Sequence, residues 1–171
     1  GEVPTPLLYF STFKTNISDG VMLTGSHNPK NYNGLKIVIN RRSMTSEKIK
    51  KIKSMIEEES FMDGEGQLTS LDVKNDYLKE LKEKIKMNSK MKVCLDCGNG
   101  VGGMIAPQAF RLLGLEVIEL YSEVNGTFPN HHPDPSNPKN LKDLQKKVLE
   151  TNSDLGIALD GDGDRVGLID N

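Results

Sequence analysis

A chain of 171 residues holds one large domain or two small ones around a sizeable core. Hydrophobic residues at 36% and charged residues at 27% describe a folded chain rather than a disordered one. A formal net charge of −2, with lysines spread along helices, excludes a basic nucleic-acid footprint, and no apolar run approaches the roughly 20 residues of a membrane span. With no signal peptide in view and too few cysteines for a disulfide framework, a reducing, cytoplasmic setting is expected, with neither nucleic acid nor membrane as partner.

In chain order, Thr5 reads as a helix cap and Pro6 as the first helical position, predicting a helix to about residue 16. GVMLT is a short strand, a polar loop runs from Gly25 to Gly34, and LKIVIN is a second strand. The helix opening at Ser46 places Ile49, Ile52, Met55 and Ile56 on one face. MDGEGQLTS lacks periodicity and reads as a linker, followed by the charged helix VKNDYLKELKEKIK. The rest is regular: strand MKVCLDC, glycine turn GNGVGG, helix MIAPQAFRLL, strand LEVIELY, a polar loop, helix LKDLQKKVLE and strand LGIALD. This βαβαβ order implies an α/β fold, a parallel sheet with helices on its faces. Cys94 and Cys97 resemble a redox CxxC, but three positions apart on a strand they point to opposite faces and read as buried structural residues.

The last strand runs into DGDGDR, residues 160–165. Asp160, Asp162 and Asp164 are three hard oxygen donors spaced by glycines, suited to Mg²⁺ or Ca²⁺. Like charges this dense oppose folding unless a cation sits among them. An EF-hand wants glycine at the sixth loop position and glutamate at the twelfth, where Arg165 and Asn171 stand. Mg²⁺ is the preferred cation, since it often shares its shell with phosphate, and Arg165 is an anion binder beside it. In the first half, LTGSHNPKNYNGLK exposes Ser26 as a nucleophile or phosphoryl carrier. His27 could move protons there, and Lys36 could neutralise phosphate or act as an acid or base. Ser26 lacks the G-x-S-x-G elbow of hydrolases.

TGSHNP, NGLK and DGDGDR, in that order with GEVPTP, DCGNGVGG and FPNHHPDPSNPKNL, resemble the α-D-phosphohexomutase superfamily, bacterial phosphomannomutase/phosphoglucomutase group. The resemblance covers nearly the whole chain. It implies three-layer α/β/α domains with mixed or parallel sheets, and a phosphotransferase interconverting hexose 1- and 6-phosphates through a 1,6-bisphosphate, which is also its activator. It implies that Ser26 carries the phosphoryl group and that Asp160, Asp162 and Asp164 hold Mg²⁺ with a phosphoserine oxygen. His27 and Lys36 match positions of proton transfer and substrate contact, and Arg165 one near the phosphate. Residues 1–68 correspond to the back part of a first domain and 69–171 to most of a second; the family's third and fourth domains have no counterpart here. A chain limited to these parts is expected to fail as a mutase by itself. Two other readings share features: a haloacid-dehalogenase-like phosphatase, whose D-x-D-x-[TV] wants Thr or Val where Asp164 stands, and a non-catalytic metal-binding remnant.

Overall fold

The structure is a computed structural model describing residues 1–170. Helix α1 (Thr5–Lys14) is entered through Pro4 in an extended conformation, with Pro6 in the first turn where its missing N–H costs nothing. The expected cap is not found. Pro4 is the N-cap residue, no side chain closes the helix end, and the buried Thr5 hydroxyl instead donates to Asp162, 157 residues away.

Strands β1 (Gly20–Leu23), β2 (Leu35–Ile39) and the unexpected two-residue β3 (Arg42–Ser43) form an antiparallel sheet in that order. Met22 pairs with Lys36 and Val21 with Ile37. Strand alternation therefore sends Met22 and Lys36 to one face, where both reach Thr5 of α1. On the other face, Leu23, Leu35 and Ile37 line an open apolar hollow with Ile49 and Ile52 of α2 (Ser46–Glu57). The apolar stripe of α2 exists as expected, yet no residue of this helix is buried, and Ile56 is 57% exposed. Residues 62–70 form no regular structure and are exposed, in agreement with a linker.

Helix α3 (Lys74–Lys84) packs against α1. Leu7 joins Val73, Leu78, Ile105 and Ala109 in one cluster, and Phe10 meets Tyr77 edge to face at 5.2 Å. Each fully buried apolar side chain of this kind contributes about 1.5–3 kcal/mol, so this cluster ties the two halves together. The second sheet has the order β5-β4-β6-β7, from β4 (Lys92–Asp96), β5 (Glu116–Leu120), β6 (Leu155–Leu159) and β7 (Val166–Asp170). The first three strands are parallel, as the βαβαβ order requires. The antiparallel edge strand β7 was not expected, and it makes the sheet mixed. Because Leu159 pairs with Val166, DGDGDR is the tip of a β-hairpin.

Helix α4 (Ala106–Leu112) covers the Val93, Leu95 and Cys97 face, while α5 (Lys142–Thr151) covers the Cys94 and Ala158 face. The two cysteines therefore belong to different core layers, both buried and free, and burial pushes the Cys97 thiol up to about 12. That rules out a redox pair. Among the described residues, no helix is long and apolar enough to cross a membrane.

At the carboxyl ends of the neighbouring parallel strands β4 and β6, the glycine turn and the aspartate hairpin lie side by side. Asp96 is wholly buried there, accepting from the Gly98 N–H and facing His131 Nε2, each at 2.9 Å. His131 Nδ1 faces the His132 carbonyl at 3.0 Å. With acceptors at both ring nitrogens, the doubly protonated ring satisfies both. Asp96 accordingly raises the His131 pKa above its ordinary value against the opposing effect of burial. The metal-motif hairpin approaches the serine loop more closely still: a Cβ on Gly161 would stand 2.4 Å from the Ser26 carbonyl oxygen.

A Gly161→Ala substitution should cost about 1–3 kcal/mol, because backbone rather than a flexible side chain must give way; an unchanged denaturant midpoint would show that the two loops are not held together. The His131–Asp96 contribution should be full below the ring's unfolded pKa of about 6.5 and fade as pH rises through the raised folded value. His131→Gln keeps a neutral donor, so its stability deficit against the parent should be about 1 kcal/mol larger near pH 5.5 than near pH 9. A deficit independent of pH would contradict a charged ring.

Candidate functional site

The hairpin tip concentrates its carboxylates through its own backbone. Asp160 Oδ1 accepts from the N–H groups of Asp164 and Arg165 at 3.0 and 2.9 Å, closing the loop around itself. The two intervening glycines let the chain turn so tightly that one oxygen from each of Asp160, Asp162 and Asp164 lies within 4.8 Å of the others. Asp160 and Asp162 are buried and Asp164 is exposed.

Three other parts of the chain converge on this tip, and the hairpin adds an arginine of its own. From the loop after β1, Ser26 Oγ donates to Asp160 Oδ2 at 3.0 Å, and His27 Nδ1 lies 3.4 Å from the same hydroxyl. Ser26 itself holds a left-handed backbone with φ 51°, a conformation that costs a serine on the order of 1–3 kcal/mol. From β2, Lys36 Nζ stands 2.7 Å from Asp162 Oδ2 and also pairs with Asp164. From within the hairpin, Arg165 Nε donates to Asp160 Oδ2 at 3.0 Å and its Nη1 reaches Asp134 at 3.8 Å. From α1, Thr5 donates its hydroxyl to Asp162 Oδ2 at 2.9 Å and its N–H to the Asp162 carbonyl. All seven residues singled out in the sequence thus lie in one cluster.

The electrostatics follow from burial working against these donors. Burial pushes the Asp162 carboxyl up, but hydrogen bonds from Lys36, Thr5 and Thr24 outweigh it and hold the group below the usual carboxylate range. Burial likewise pulls Lys36 down, and its bonds to Asp162 and Asp164 more than restore it, leaving the ammonium above its ordinary value. In this arrangement the Lys36 ammonium is paired with two carboxylates.

Whether the residues fit a divalent cation can be judged from their unused atoms. Asp162 Oδ2 accepts three bonds, whereas Asp162 Oδ1 is buried with no protein partner among the described residues. A buried acceptor left unpaired costs about 1–3 kcal/mol. Three converging carboxylates, one with a free buried oxygen, suit a hard cation that takes oxygen ligands. The residues fit.

Sequence reasoning missed several contributors. Thr5 was assigned to a helix end, and Thr24 stood unremarked beside the glycine of TGSHNP. Thr24 Oγ1 donates to Asp162 Oδ2 at 2.9 Å and accepts from the Ser26 N–H at 2.8 Å. His132 Nε2 faces the His27 carbonyl, joining the NHHPDP loop to the serine loop. Only the presence of threonine within the serine motif itself could have signalled any of this.

Comparison with known proteins agrees with the geometry. The family models described as phosphoglucomutase/phosphomannomutase alpha/beta/alpha domain I and domain II match residues 1–63 and 75–171. A phosphomannomutase/phosphoglucomutase of Pseudomonas aeruginosa is 51% identical over all of this chain, which covers 37% of that protein. A phosphoglucomutase of Neisseria meningitidis is 43% identical over 99% of this chain, again 37% of the relative. A crystal structure of a phosphoglucomutase/phosphomannomutase family protein from Burkholderia thailandensis superposes with a TM-score of 0.95 at 37% identity, covering 99% of this chain and 39% of that one. The chain thus spans less than two fifths of the length of the curated relatives it matches. Loops meeting at a carboxylate hairpin, a fold shared at that level and both domain matches lead to one conclusion: this chain belongs to the phosphoglucomutase/phosphomannomutase family.

Proposed function

We propose that this chain provides the phosphoryl-carrying and metal-holding parts of a hexose-phosphate mutase, with residues 1–68 from a first domain and 69–171 from a second. The observation that carries the reading is the Ser26 hydroxyl resting 3.0 Å from Asp160 beside two further carboxylates. Asp160, Asp162 and Asp164, with an oxygen of phosphorylated Ser26, would hold Mg²⁺. When bound, Mg²⁺ supplies neutralisation of phosphoryl charge, the chief demand of phosphoryl transfer.

The chain's own residues do the rest. Ser26 Oγ holds the phosphoryl group; its O–P bond breaks as a hydroxyl of a hexose phosphate forms a new one, giving a hexose 1,6-bisphosphate. Return of the other phosphate to Ser26 Oγ reverses the bonding and completes the isomerisation. The same bisphosphate, supplied from outside, phosphorylates Ser26 and so activates the enzyme. Arg165 and Lys36 are placed to bind phosphoryl oxygens, each on a carboxylate it can share or leave. His27, next to the transferring oxygen, is placed to take or return the proton of the attacking hydroxyl. The free, buried cysteines suit a reducing, cytoplasmic compartment. An aspartyl nucleophile suits the site less well. Asp160 is fully buried, and its two oxygens already accept from Ser26, Arg165 and two backbone N–H groups.

In the intact enzyme, incubation with glucose 1,6-bisphosphate should add one phosphate to Ser26 by mass spectrometry. The Ser26→Ala variant should take up none and lose several orders of magnitude in mutase turnover. Near-normal turnover in Ser26→Ala would refute the covalent mechanism. Titration calorimetry should show Mg²⁺ binding more tightly after phosphorylation, which adds roughly −1.5 to −2 charge. Asp162→Asn should bind Mg²⁺ more weakly than the parent in both states; equal affinities would remove this loop as the metal site.

A further inference from the structure

We propose that Thr24 is a positioning residue that locks the Ser26 backbone to the metal-binding face of Asp162 through a single hydroxyl. A hydroxyl has one proton to give and two lone pairs to accept with. Thr24 gives its proton to Asp162 Oδ2 at 2.9 Å and accepts the Ser26 N–H at 2.8 Å. Two hydrogen bonds through one atom therefore connect the phosphoryl-carrying residue to a metal carboxylate that lies 138 residues beyond Thr24 in the chain.

Each bond has a consequence. On the carboxylate side, Thr24, Thr5 and Lys36 all occupy Oδ2, which fixes the plane of the Asp162 carboxylate and leaves Oδ1 buried and without a partner among the described residues. A cation then meets one pre-oriented oxygen instead of a carboxylate free to rotate. On the serine side, the bond to the Ser26 N–H helps to hold the left-handed turn, φ 51°, that sets the hydroxyl against Asp160. A β-branched threonine suits this task, since its stiff χ1 restricts the hydroxyl direction. The inference rests on the proposed role of the aspartates as metal ligands and of Ser26 as carrier.

The test compares the parent with Thr24→Val, which keeps the shape and removes the hydroxyl, and with Thr24→Ser, which restores it. Mg²⁺ affinity of the intact protein is read by calorimetry, independently of turnover. Partners that orient metal ligands typically contribute 10–100-fold in affinity. Thr24→Val should weaken Mg²⁺ within that range, and Thr24→Ser should return it to within about threefold of the parent. At saturating Mg²⁺, Thr24→Val should also accept phosphate from glucose 1,6-bisphosphate more slowly, and Thr24→Ser should recover that rate. Thr24→Ala repeats the comparison if the valine variant does not fold. Should the parent bind Mg²⁺ and Thr24→Val bind it equally well, the inference is overturned while the metal site stands. Serine failing to rescue overturns it too, because only packing would then be at stake. A parent that binds no Mg²⁺ overturns the metal reading and this inference with it.

Discussion

The arrangement depends on placing two buried carboxylates, Asp160 and Asp162, at the end of one β-hairpin. Buried like charges a few ångströms apart are tolerated only when donors and cations are brought to them. Here those groups come from distant parts of the chain: Thr5 from a helix, Thr24 and Ser26 from a loop, Lys36 from a strand and Arg165 from the hairpin itself. Satisfying the aspartates therefore docks the first sheet onto the second. The polar contact works alongside the apolar cluster around Leu7 and Leu78, which joins α1 to α3. One supplies area and the other register.

Close approach is the second constraint. The glycines of the hairpin let the backbone of residue 161 lie against the Ser26 carbonyl at a separation no side chain would permit. Ser26 has a left-handed backbone between that contact and the Thr24 hydroxyl, which accepts its N–H. Strain of this kind persists only where its surroundings over-determine it, and here the hairpin and Thr24 flank it. The result is a serine hydroxyl whose position against Asp160 is set by backbone geometry, the kind of pre-positioning that the proposed phosphoryl transfer would draw on.

The charge state fits the same picture. Lys36 occupies Asp162 and Asp164 as an ammonium, so the cluster carries part of its own neutralisation. Among the described residues, the one buried carboxylate oxygen left without a partner is Asp162 Oδ1. That localisation separates this cluster from an ordinary acidic turn, in which water would serve every oxygen.

Much of this could be read from the residues alone. Strand and helix periods marked the βαβαβ half, the exposed linker near residues 62–70 and the opposed faces of Cys94 and Cys97, because those patterns are local and repeat every two or 3.6 residues. The density of aspartate in DGDGDR marked hard-cation chemistry, since the oxygen donors and glycines lie within six consecutive positions. Other features were decided only in three dimensions. Thr5 looked like a cap because threonine before an apolar helix usually is one; its hydroxyl instead serves a carboxylate that folding brings from 157 residues away. The apolar stripe of α2 suggested a buried face, but periodicity says which side is apolar and not what covers it. The edge strand β7 is only five residues long, and its pairing exists only once β6 is in place beside it. Composition and spacing settle which chemistry a chain can perform; which oxygen of Asp162 is held and which is left free is settled by hydrogen bonds between segments that have no sequence relation to one another.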